Sequence, residues 1–118
     1  MSLQSKLETI SKNYQKTQNE LFKIIEARQK LSSQLQENKL VQKEFSILEN
    51  DAIIYKLTGP VLVKQEKSEA ILNVKKRLEY IETEIKRLEI QIKKHNQSLE
   101  EQKLDIFKLQ TQIQENPT

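Results

Sequence analysis

The chain contains no cysteine and no tryptophan, one glycine and two prolines in 118 residues. Without cysteine there is no disulfide frame, no thiolate zinc site and no thiol nucleophile, a composition that suits a reducing compartment. A single glycine leaves no material for a phosphate-cradling loop or a nucleophile elbow, and the single histidine has no ligand-spaced cluster around it. Nothing is placed to make an active site, so neither an enzyme nor a cofactor or metal is expected. Three Phe and three Tyr are few for a globular core, so an extended form is expected instead. No run approaches the about twenty apolar residues of a membrane span, and "MSLQSKLETISKNYQ" lacks the apolar stretch of a signal peptide. A soluble, cytoplasmic protein is expected, with no membrane partner and no long flexible tail after the last heptad.

Charge of one sign is also lacking. Basic and acidic residues number eight and six in 1–50, two and two in 51–66, and ten and nine in 67–118. Interleaved signs give no long basic surface for phosphates, and "KKR" at Lys75–Arg77 and "KKH" at Lys93–His95 read as solvated helix faces. Nucleic acid is therefore not an expected partner, although a sequence pI near 9.0 keeps salt-dependent binding as a check.

What is present is a heptad pattern. Alternating steps of four and three pick out Leu3, Leu7, Ile10, Tyr14, Thr17, Leu21, Ile24, Arg28, Leu31, Leu35, Asn38, Gln42 and Phe45. The same steps pick out Ile71, Val74, Leu78, Ile81, Ile85, Leu88, Ile92, His95, Leu99, Gln102, Ile106, Leu109 and Ile113. Nine and eleven of these thirteen positions are apolar, so both runs predict coiled-coil helices able to pair antiparallel. His95, Arg28, Asn38, Gln42 and Gln102 read as polar seam residues that fix register. "SKLE" at Ser5–Glu8 has capping-box spacing, with an earlier start at Ser2 also open. "END" at Glu49–Asp51 breaks the first run, Ser68 can cap the second helix, and Asn116-Pro117 ends it.

Between the runs, "DAIIYKLTGPVLVKQE" (51–66) is β-branched and aromatic and predicts a β-hairpin. A three-residue loop Thr58-Gly59-Pro60 would pair Leu57 with Val61, Tyr55 with Val63 and Ile53 with Gln65, giving one apolar face. The other face, Lys56 with Leu62 and Ile54 with Lys64, would be mixed. A lone two-stranded hairpin is marginal in water, so other chains are expected to supply strands and cover. The predicted fold is mainly α: one domain, residues 1–118, with a helix over 1–50, a hairpin over 51–66 and a helix over 67–118. A structural coiled-coil adaptor would explain the helices but leaves the apolar hairpin face without a purpose.

"IIYKLTGPVLVKQE" followed by "KRLEYIETEIKRLE" resembles the β-class subunits of prefoldin, the eukaryotic ones above all, and the likeness in layout spans the chain. The heptads are unspecific; the hairpin string carries the resemblance. It implies an ATP-independent co-chaperone in a heterohexamer with two α-class and three further β-class subunits. The hairpins would build a double β-barrel from which six coiled coils hang. Unfolded proteins such as actin and tubulin would be held at the tips and passed to the cytosolic group II chaperonin. It assigns Ile53, Tyr55, Leu57, Val61 and Val63 to the platform and Gly59 and Pro60 to its turn. For the tips it gives a location and no motif, which makes Leu3, Leu7, Ile10, Ile106, Phe107, Leu109 and Ile113 candidates for client contact. Phe107 falls outside the seam, where it either meets a client or widens the seam.

Overall fold

A computed structural model describes residues 2–49 and 52–116. The elements run α1 (Leu3–Ile47), β1 (Ile54–Thr58), β2 (Val61–Gln65) and α2 (Lys67–Glu115), the helix, hairpin, helix order the sequence predicts. Asn50, Asp51 and Pro117, invoked above as breaks, lie outside the described residues.

The helix ends are set by side chains. Ser2 is the N-cap of α1: its hydroxyl accepts from the Ser5 N–H at 3.0 Å and its carbonyl accepts from the Lys6 N–H at 3.0 Å. Of the two starts left open, the earlier is found, and Ser5 sits inside the first turn. Ser68 is not the cap of α2. The helix begins at Lys67, with the Ala70 N–H donating to the Glu66 carbonyl at 3.0 Å, so Ser68 is already helical. Lys67 closes the end of α1 instead. Its ammonium donates to the Leu48 carbonyl, supplying a cation where α1 leaves carbonyls without helical partners.

The chain forms two units, described separately. One consists of Gln29–Lys86 and contains the hairpin. Its core is a single file on α2: Ala70, Val74, Leu78 and Ile81 are buried, Ile81 deepest at 2% exposed. The seam enters through Ala70 rather than Ile71, which is exposed. On α1 the matching correction is that Val41 is half-buried and Gln42 exposed. Between Asn38 and Phe45 the steps run three and four instead of four and three, which brings an apolar side chain inward in place of an amide.

The other unit consists of Met1–Arg28 and Arg87–Thr118. Every heptad seam position of α1 from Leu3 to Arg28 is half-buried, as is every one of α2 from Ile92 to Ile113, and Leu88 is buried. Pairing is antiparallel. Arg28 Nη2 donates to Glu89 Oε1 at 2.8 Å, while His95 Nε2 lies 3.4 Å from Glu20 Oε2.

Candidate interaction surfaces

The hairpin register differs from the sequence expectation by one residue. Thr58 pairs with Val61, Leu57 with Leu62, Lys56 with Val63, Tyr55 with Lys64 and Ile54 with Gln65. Gly59 and Pro60 alone form the loop, and Gly59 has φ +60. A positive φ at the first loop position followed by the fixed negative φ of proline is the type II′ arrangement, whose twist matches that of the strands. Such a loop holds two residues, so Thr58 joins the ladder. The three-residue loop expected from the sequence counted Thr58 with the turn, whereas Thr58 pairs with Val61.

Because side chains alternate along a strand, this shift redistributes the predicted platform residues. Tyr55 and Leu57 share a face with Leu62 and Lys64. Val61 and Val63 lie on the other face, with Ile54, Lys56, Thr58 and Gln65. Ile53 precedes β1. Instead of one apolar and one mixed face, both faces carry exposed apolar groups: Leu57 is 68% exposed, Leu62 63% and Val61 57%. Only the Ile54–Gln65 end of the ladder is half-buried, over a floor formed by Val41, Phe45, Ala70 and Val74. Among the described residues the sheet has two strands, so the outer N–H and C=O groups of each lack a strand partner.

At the chain ends, Leu3, Leu7, Ile10, Ile106, Leu109 and Ile113 are half-buried. Ile10 and Leu109, from the two helices, line one shallow groove. Phe107 is 65% exposed, so it does not widen the seam. Sequence reasoning passed over Phe22, Ile25, Ile90 and Leu104, all of them exposed. The signal was available as apolar residues at heptad positions other than a and d.

The polar seam residues behave in two ways. Thr17 and Asn38 donate to their own helix at the carbonyls of Asn13 and Gln34, four residues back. His95 Nδ1 lies 2.8 Å from the Gln91 carbonyl, which can only accept, so that nitrogen carries the proton. Arg28 and His95 reach side chains of the opposite helix, and Gln102 Oε1 is buried without a hydrogen-bond partner among the described residues. Among the described residues no group of three His, Cys, Asp or Glu side chains could hold a metal ion, and no helix is long and apolar enough to cross a membrane.

A two-stranded sheet with apolar groups on both faces, borne on two long helices, defines an assembly subunit of the coiled-coil class. Comparison with known proteins gives the class its family. A family model described as "Prefoldin subunit" matches residues 8–113, and the chain belongs to that family. It is 55% identical over 96 residues to prefoldin subunit 6 of Saccharomyces cerevisiae, covering 81% of this chain and 84% of that protein. To prefoldin subunit 6 of Homo sapiens it is 43% identical over 112 residues, covering 95% and 87%. Among solved structures, the prefoldin beta subunit from Thermococcus strain KS-1 superimposes with a TM-score of 0.79 at 30% identity, covering 86% of this chain and 89% of that one.

Proposed function

We propose that the chain is a co-chaperone subunit that acts without ATP in a cytoplasmic heterohexamer with two α-class and three further β-class subunits. The hairpins join into a β-barrel platform. The chain ends contact unfolded proteins such as actin and tubulin, which pass to the cytosolic group II chaperonin. The observation that supports assembly most directly is the hairpin itself, with Tyr55, Leu57 and Leu62 exposed on one face and Val61 and Val63 on the other. Leaving apolar surface of this size in water is unfavourable by roughly 25 cal/mol per Å². Two unpaired strand edges would also template aggregation unless neighbouring strands took them up. Weak contacts from several tips then add up to a grip that one tip cannot provide.

Native mass spectrometry of the chain recovered with its host partners tests the assembly: six small subunits are expected, and a monomer or homodimer would defeat the reading. Tyr55→Asp and Val63→Asp, examined separately, are each expected to prevent entry into the complex. They lie on opposite faces of the ladder, and each would bury a carboxylate without a partner. For the chaperone activity, the purified complex is expected to suppress light scattering when a denatured protein is diluted into buffer.

A further inference from the structure

The two strands of the hairpin hold cations and no anion: Lys56 on β1 and Lys64 on β2 are their charged residues. The two lysines are not alike. Lys64 lines a groove together with Glu66 of its own chain. Lys56 lines a cleft with a second cation, Arg77 of α2, and no carboxylate of the described residues lines it. Both cations are exposed, and among the described residues neither has an ion-pair partner. The cleft follows β1, since three consecutive residues of that strand, Ile54 to Lys56, line it against Gln65 alone from β2. Its floor is apolar, formed by Val41, Phe45 and Val74.

Lys56 shares its face of the ladder with Val61 and Val63, both of them exposed. Whatever covers those valines takes Lys56 out of water with them, and an ammonium buried without a counter-charge is strongly unfavourable. A second copy of this chain cannot supply the counter-charge by strand pairing, because its strands carry no carboxylate in any register. The symmetric pairing is worse still. Lys56 is the middle residue of the five in β1, so two β1 edges paired antiparallel over their full length set two lysines directly opposite each other.

We infer that the free edge of β1 accepts a strand of a different prefoldin subunit, one that carries an aspartate or glutamate opposite Lys56, with its carboxylate entering the cleft between Lys56 and Arg77. The inference rests on the assembly reading and adds the partner's chemistry to it. Two cations suit one carboxylate, because an ammonium and a guanidinium can each donate to one of its oxygens. The partner's backbone meanwhile takes up the N–H and C=O groups that the edge leaves open. Lys56 therefore acts twice: it disfavours a second copy, as lysines on strand edges do, and it selects among unlike subunits by charge.

The test uses the complete hexamer, reconstituted from this chain and its partner subunits. A carbodiimide joins touching amines and carboxylates without a spacer, and it is expected to link Lys56 to an acidic residue of another prefoldin subunit, read by peptide mass spectrometry. Acetylation of Lys56 by an N-hydroxysuccinimide ester is expected in the isolated chain and lost in the hexamer. In competition with the wild-type chain for a place in the hexamer, Lys56→Glu is expected to enter about tenfold less or worse. Lys56→Arg keeps the charge and is expected to enter nearly as well as wild type. Lys30→Glu, the same change of charge at an exposed position of α1, is expected to enter equally. A Lys56 that stays as reactive in the hexamer, a link only to carboxylates of its own chain, or full entry of Lys56→Glu would overturn the carboxylate partner and leave the assembly reading standing. A wild-type chain that enters no hexamer would overturn both.

Discussion

Replacing Gly59 by alanine of either hand isolates what the turn contributes. Gly59 has φ +60, and a Cβ built there meets nothing within 4 Å, so any penalty is conformational and not steric crowding by neighbours. For L-alanine a positive φ costs about 1–2 kcal/mol, and more at the first position of a type II′ turn, where ψ leaves the left-handed well. The lost flexibility of the unfolded chain returns about 0.4–1 kcal/mol, leaving a net cost of about 1 kcal/mol. On the proposed assembly through the hairpin, that cost is read as roughly a fivefold weaker association with the other subunits. D-alanine prefers positive φ and keeps the entropic gain, so it is expected to associate as well as glycine or better. The chain can be made by peptide ligation and titrated against its partner subunits. Equal affinities for the two hands would refute the turn assignment, and with it the two-residue loop.

The register itself can be tested in a chain that has no cysteine of its own. Leu57→Cys with Leu62→Cys is expected to form a disulfide on mild oxidation, because directly opposed residues next to the turn-closing pair lie about 4.5–5.5 Å apart. Leu57→Cys with Val61→Cys, the pairing a three-residue loop would give, is expected to oxidise poorly. In the helices, Ile81→Ala is expected to destabilise the assembled complex by about 2–5 kcal/mol in urea unfolding, since Ile81 is the most buried side chain of the hairpin unit. Ile90→Ala is expected to stay within about 0.5 kcal/mol, since Ile90 is exposed.

The heptads made most of the fold legible, because a period sustained over many turns leaves few alternatives. Where the period breaks, the sequence was read too regularly. At the hairpin end of α1 the repeat continued through Gln42 on paper, while the preference for burying an apolar side chain brings in Val41 one residue earlier. On α2 Ala70 is buried, at the floor beneath the Ile54–Gln65 end of the hairpin, and Ile71 is left exposed. The hairpin was legible as an element and illegible in register, since the register depends on a loop length that Thr58-Gly59-Pro60 leaves open until the φ of Gly59 is known. At the chain ends, the candidates chosen by seam position are half-buried. Only Phe107, chosen for lying off the seam, presents a largely free surface.

The polar seam residues show why register had to be seen and could not be counted. A buried polar group specifies how two helices align only when its partner stands on the other helix; bonded within its own helix, it tolerates any alignment. Thr17 and Asn38 satisfy themselves one turn back and therefore say nothing about register. Arg28 reaches Glu89 and His95 faces Glu20, so these two pairs mark the alignment within their unit. Both pairs are partly exposed, which limits each to about 0–1 kcal/mol. That is too little to hold the coil together, and the half-buried leucines and isoleucines do so. The apolar seam supplies the affinity between the helices, and these two contacts mark an alignment that sequence spacing alone did not name.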